Sequence, residues 1–190
     1  MRDLELVRRL QATGKDFFTL ADLEKVTGLE RESLGVYLNR WMRRGVLERA
    51  MRGIYVVPGG NARVERIAGQ VYFPCYLSFE SALSRLGILN LLPYSLTFAT
   101  PGKTRSLDLL GRRVDYRHVK DELYSGFDLA NGFYIARPEK ALLDLVYFAS
   151  FGKASLPLEE LDLRTLSRPV LTEMASRFPP RVRERLDAIL

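Results

Sequence analysis

The order of local signals between Thr19 and Val57 constrains this chain more than any other feature. Thr19 has the place of a helix N-cap, with Asp22 three residues on as the acidic partner of a capping box. Leu20, Leu23 and Val26 give the helix that follows one buried stripe. Thr27-Gly28-Leu29 ends it in a tight turn whose glycine can take positive φ. A longer helix is predicted from about Glu30 to Arg44, with Leu34, Leu38 and Trp41 on one face, Tyr37 beside them and Gly45 as its stop. Val46–Arg49 and Ile54–Val57 are β-prone runs around a loop containing Gly53, which is hairpin spacing. Upstream, Arg2–Gln11 has near-helical leucine spacing, and Phe17-Phe18 is a short extended piece. Helix, short helix, glycine turn, longer helix and hairpin form the order of a winged helix-turn-helix, whose last helix enters the major groove of duplex DNA.

The charge follows the same segment. From Arg31 to Arg52 there are six arginines (Arg31, Arg40, Arg43, Arg44, Arg49 and Arg52) against Glu32 and Glu48, a net +4 in a chain whose total is +6. Arginine's planar fork suits guanine edges and phosphates. Residues early in a recognition helix sit deepest in the groove, so Arg31, Ser33, Val36 and Arg40 are expected at base edges, with Asn39 on the same outer face. Arg43, Arg44 and Lys25 are expected on phosphates, and Arg49 and Arg52 on the backbone or in the minor groove.

Pro58-Gly59-Gly60 reads as a linker, dividing a DNA-binding domain, residues 1–60, from a second domain, residues 61–190. The second domain is near neutral, with 18 basic against 15 acidic residues. Helices are predicted at Ala62–Val71, Phe79–Leu86, Glu139–Ala149, Leu158–Leu166 and Val170–Phe178, with a short one after Pro179-Pro180. Strands are predicted at Leu96–Thr100, Arg113–Val119 and Phe133–Ala136. The fold class is therefore α+β: a winged helix-turn-helix followed by a mixed α/β domain.

The usual catalytic patterns are incomplete. Thr100-Pro101-Gly102-Lys103-Thr104 ends like a P-loop, but Thr97 stands where the first glycine belongs and Pro101 lacks an N–H, so a turn is expected. Glu139 and Asp144 read as a helix cap and a salt-bridging surface residue rather than a metal pair. One cysteine, Cys75, and one histidine, His118, leave no Cys/His zinc site within one chain, and Cys75 reads as a buried inert thiol. Neither catalysis, a cofactor nor a metal is expected; the alternative class is a DNA-directed nuclease or nucleotide-binding enzyme that uses the winged helix for delivery. No apolar run has the length a bilayer requires, and MRDLELVRRL is unlike a secretory signal, so a cytoplasmic protein is expected.

YLSFESALSRLGIL, LTFATPG, VDYRHV and YIARPEKALLDL, with RGIYVVP at the end of the hairpin, resemble in order the conserved stretches of AbiEi-type antitoxins over residues 1–150. The resemblance implies a repressor of its own operon that also neutralises a toxin of the nucleotidyltransferase type. It implies binding to double-stranded DNA, at an inverted repeat in its own promoter. It assigns DNA contact to the winged-helix arginines. Antitoxin determinants are implied among Ser78, Glu80, Arg85, Arg137, Glu139 and Lys140. From the residues alone, Ser78 and Ser81 read as helix caps with Glu80 at the positive helix end, or Glu80 and Arg85 as a pair across domains.

Overall fold

The structure, a computed structural model, describes residues 2–59 and 64–190. Contacts divide the chain into two units: residues up to Ile67 with Asp108–Gly111, and Ala68–Leu107 with Arg112–Leu190. That division falls within a helix, Val64–Val71, whereas the boundary expected at residues 60/61 and the start of the helix expected at Ala62 lie outside the described residues.

The first unit runs α1 (Asp3–Ala12), β1 (Phe18–Thr19), α2 (Leu20–Thr27), α3 (Arg31–Arg43), β2 (Glu48–Met51) and β3 (Ile54–Val56). Its small sheet has the order β1-β3-β2, with both pairings antiparallel. Leu34, Leu38 and Trp41 of α3 close on Leu6 and Leu10 of α1, Phe18, Leu23, Leu47 and Tyr55. All are buried, so one apolar stripe per helix, closed by Phe18, Leu47 and Tyr55 from the sheet and its approach, makes the core. The capping box forms as the spacing predicts: the Asp22 amide donates to Thr19 Oγ1 at 3.2 Å, and the Thr19 amide donates to Asp22 Oδ2 at 2.9 Å. Gly28 ends α2 at φ 70° and Gly53 turns the hairpin at φ 81°, conformations that a Cβ would strain.

The second unit holds α4 (Val64–Val71, whose first residues group with the first unit), β4 (Tyr76–Leu77), α5 (Phe79–Arg85), β5 (Leu96–Thr100), β6 (Arg105–Leu109, whose last two residues group with the first unit) and β7 (Arg112–His118). There follow β8 (Phe127–Ala130), β9 (Phe133–Ala136), α6 (Pro138–Ser150), α7 (Arg168–Ala175) and α8 (Pro180–Asp187). The mixed sheet has the order β6-β7-β5-β4-β9-β8. β4 runs parallel to β9 and antiparallel to β5, and β5 runs parallel to β7. Pro138 stands in the first turn of α6, as its fixed φ favours, and nearly every residue of that helix is buried.

The helix expected over Leu158–Leu166 is two 3₁₀ turns, Leu158–Glu160 and Leu163–Thr165. The backbone between them is taken by a β-bridge: the Asp162 amide donates to the Ile88 carbonyl at 2.8 Å, and the Asn90 amide to the Glu160 carbonyl at 2.9 Å. This pairing needs extended residues, and the Asp162 side chain accepts the Arg164 amide in place of a helical bond.

The Asp22 carboxyl is pushed up by burial, but hydrogen bonds from Lys15 and from the backbone and hydroxyl of Thr19 outweigh this and hold it at about 2. Its folded value lies below the ordinary carboxylate range, so its contribution is complete above that range and lost as pH falls through about 2. Urea midpoints of wild type and Asp22→Asn are expected to differ at pH 6 and to converge between about pH 4 and pH 2. At neutral pH, Thr19→Ala is expected to cost about 1 kcal/mol. A pH-independent gap between wild type and Asp22→Asn would remove this account.

Candidate nucleic-acid interface

α3 presents its core stripe inward, with Met42 partly buried beside it, and the rest of the helix is open. Arg31, Ser33, Val36, Asn39, Arg40 and Arg43 are all exposed, as are Arg44 just past the helix and Arg49 and Arg52 on the hairpin. Val36 is 71% exposed, an uncovered β-branched side chain in the middle of the helix. Ser33, Val36, Arg40 and Arg43 are spaced by three and four residues, which aligns them in one ridge opposite the buried Leu34–Leu38–Trp41 stripe. Tyr37 lies between the two faces with its ring 5.6 Å from that of Trp41.

The arginines are held differently. Arg44 pairs with Asp3 of α1 at 3.0 Å, and Arg31 lies 3.6 Å from Glu24 of α2, so both ends of α3 are tied to neighbouring helices. Arg43 Nε donates to the Asn39 carbonyl at 3.4 Å, along its own helix. Arg40, Arg49 and Arg52 have no ion pair among the described residues. The hairpin turn is only Arg52-Gly53 wide, so Arg52 stands in the turn and Arg49 on the strand before it, while Ala50 between them is buried. The result is an uncompensated positive ridge with one apolar contact point, beside a short basic wing. Such a surface matches a phosphate-lined groove in charge and dimension.

The antitoxin-domain candidates do not form one cluster. Ser78 and Lys140 converge on Asp144: Ser78 Oγ donates to Asp144 Oδ2 at 2.7 Å, and Lys140 Nζ donates to Oδ1. Tyr76 OH donates to the same Oδ2 at 2.9 Å. All four side chains are essentially unexposed, at 1% or less. Asp144 is thus not the surface residue expected from its charge. Sequence spacing held the missing signal, since Lys140 and Asp144 are four apart in a helix otherwise apolar at nearly every position. Ser78 occupies the N-cap position of α5, but its hydroxyl makes no cap bond because it serves Asp144. Burial, together with the Asp144 charge, pushes the Tyr76 phenol well above its ordinary range.

The remaining candidates lie apart. Glu80 pairs with Arg117 at 3.2 Å rather than with Arg85, whose guanidinium sits over the Phe133 ring. Arg137 forms a bidentate pair with Asp128 at 2.8 and 3.0 Å, and Glu139 accepts the Ser167 amide at 3.0 Å. The Thr100–Thr104 stretch is a turn in which Thr100 Oγ1 accepts the Gly102 amide at 3.0 Å. Burial raises the Cys75 thiol to about 12, an inert state. Among the described residues, no group of three or more His, Cys, Asp or Glu could hold a metal ion, and no helix is long and apolar enough to cross a membrane.

Fold and surface together define a winged-helix module joined to an α/β unit. Residues 5–58 match the family described as transcriptional regulator, AbiEi antitoxin, the family whose motifs the sequence resembles. Among solved structures, the RV2827C protein from Mycobacterium tuberculosis aligns over 98% of this chain and 75% of its own, with a TM-score of 0.69 and 20% identity. That likeness is one of fold. No curated protein matches at a significant level.

Removing one partner of a buried ion pair strands the other charge. Asp144→Ala is expected to lower stability by about 3–5 kcal/mol, read from urea unfolding, whereas Asp128→Ala at the exposed pair leaves the midpoint in place. Lys140→Met combined with Asp144→Leu is expected to recover part of the loss. A midpoint for Asp144→Ala equal to wild type would contradict the stranded-charge account.

Proposed function

We propose that this protein is a sequence-specific, DNA-binding transcriptional repressor that reads an inverted repeat in its own promoter through α3 and acts without catalysis. The observation that carries the reading is the ridge Ser33–Val36–Arg40–Arg43, exposed along α3, with Arg49 and Arg52 on the hairpin and without an ion pair among the described residues. Ser33, Val36 and Arg40 reach base edges: Arg40 fits a guanine, and the bare Val36 fits a thymine methyl. Asn39 lies beside them and suits an adenine edge or a phosphate. Arg43, Arg44 and Lys25 hold phosphates, and Arg31 joins them by exchanging its loose Glu24 partner. Arg49 and Arg52 follow the backbone or minor groove beside the wing.

The family match over the winged helix supports a regulator of the antitoxin type. On that basis the second unit neutralises a nucleotidyltransferase-like toxin. The exposed Arg137 and the half-buried Glu80 are then better determinants than Ser78 and Lys140, which are enclosed with Asp144. The protein works in the cytoplasm, where promoter and toxin both are.

Base-reading and phosphate-binding arginines differ in what their loss does. Arg40→Ala is expected to cost about 1–3 kcal/mol on the protein's own promoter fragment and to flatten preference at one base pair. Arg52→Ala is expected to weaken promoter and scrambled duplex alike and to reduce the salt slope by about one unit. Arg164, fully exposed and paired with Asp162, is the control. Fluorescence anisotropy across a salt series measures all three; wild-type binding by Arg40→Ala and Arg52→Ala would rule out α3 and the wing as the DNA-binding surface.

A further inference from the structure

The unit built on the six-stranded sheet contains a cavity of about 390 Å³ between the end of β7, the last turns of α6 and Pro179 ahead of α8. Its apolar walls are Tyr147, Phe148, Phe151 and Pro179, and its polar lining is His118, Lys120 and Lys153. Aspartate and glutamate are absent from that lining among the described residues. The combination is unusual for a packing defect, which would be apolar throughout.

The aromatic wall is held in place. The Tyr147 ring meets Phe148 at 5.7 Å, Phe151 at 5.3 Å and Phe178 at 6.0 Å, all edge to face. Such contacts fix ring planes, so the wall exists before any ligand arrives. Phe151 is 47% exposed, which leaves one ring open at the cavity mouth.

The basic side is oriented as well. His118 Nδ1 lies 2.9 Å from the Gly102 carbonyl. A carbonyl only accepts, so Nδ1 carries the proton, and Nε2 donates to an anion only when the ring holds a second proton. The same histidine borders a second, open cavity of about 440 Å³ over the turn Pro101–Thr104, where Lys103 adds another positive charge. Lys120 leans toward the exposed Glu122 at 3.4 Å, while Lys153 has no ion pair among the described residues.

Rings that accept a flat face, beside a lysine, Lys153, with no ion pair among the described residues, call for one kind of occupant. We propose that this cavity binds a small aromatic anion, its ring against Tyr147 and Phe151 and its negative group toward Lys153. The volume suits one ring-bearing molecule rather than a peptide or a strand. A nucleoside phosphate and an aromatic carboxylate share this chemistry. The inference does not depend on DNA binding by α3, because every lining residue belongs to the second unit.

Isothermal titration of the full chain with four probes tests it: adenosine monophosphate, salicylate, adenosine and inorganic phosphate. Adenosine monophosphate or salicylate is expected to bind at least about tenfold more tightly than both adenosine and phosphate, because ring and charge act together. Tight binding by the first alone identifies a nucleotide, by the second alone a carboxylate, and by both the shared chemistry. Phe151→Ala and Lys153→Glu, both at exposed positions, are each expected to weaken the tighter probe by about tenfold. Binding of neither anion at low millimolar concentration overturns the proposal. So does adenosine binding as well as adenosine monophosphate in the absence of salicylate binding, or affinity unchanged in both variants.

Discussion

One carboxylate organises the second unit. Asp144 is wholly enclosed, and an ionised carboxylate out of water is tolerated only with several donors. Three elements supply them: Lys140 from one turn earlier on α6, Tyr76 from β4, and Ser78 from the start of α5. Each donor fixes a relation that apolar packing alone leaves loose. The lysine and aspartate set which face of α6 turns inward, and the tyrosine and serine set the depth at which β4 and α5 meet it. Lys140 also lies over the rings of Tyr76 and Phe178, so its charge is compensated on more than one side. β4 is only two residues long, yet it joins β5 to β9 at the centre of the sheet. A strand that short makes few ladder bonds, and the bond from its Tyr76 hydroxyl to Asp144 compensates.

The first unit uses charge in the opposite way. Its core cluster is apolar, and the charged groups of its capping box and of the Arg44–Asp3 pair lie at the edges. Surface ion pairs contribute little, typically about 0–1 kcal/mol, so Arg44 and Arg31 can trade Asp3 and Glu24 for phosphates at small cost. Helix attachment and anion binding can therefore be served in turn by the same arginines. The middle of α3 needs no such exchange, since Arg40 has no ion pair to break among the described residues.

How much of this was legible in the sequence follows from how each element is buried. The winged helix was readable because its elements are amphipathic and punctuated: Thr19 and Asp22 cap, Gly28 and Gly53 turn, and Leu34, Leu38 and Trp41 mark one face. In the sheet, β5, β7 and β9 were readable as apolar or alternating runs, but the edge strands β6 and β8 were not. Arg105–Leu109 and Phe127–Ala130 are largely exposed, so burial left little hydrophobic pattern on them. β4, two residues long, is too short to show a pattern. The role of Asp144 was hidden for a different reason, because a charged residue reads as surface unless its donors are known. Two of the three donors, Tyr76 and Ser78, lie 68 and 66 residues away.

The proposed interface also limits how much sequence one copy can read. The ridge on α3 offers Ser33, Val36 and Arg40 to base edges, and the two-residue wing turn is too short to add more than backbone or minor-groove contact. A good side-chain–base contact discriminates by about 1–3 kcal/mol. Separating a specific site from bulk DNA takes about 4–10 kcal/mol. Two or three contacts from one helix reach at best the middle of that range, and a serine or a valine contributes at its low end. Two copies of the helix reach it comfortably. The geometry of α3 thus favours occupation of two half-sites related by symmetry, which is the physical content of an inverted repeat.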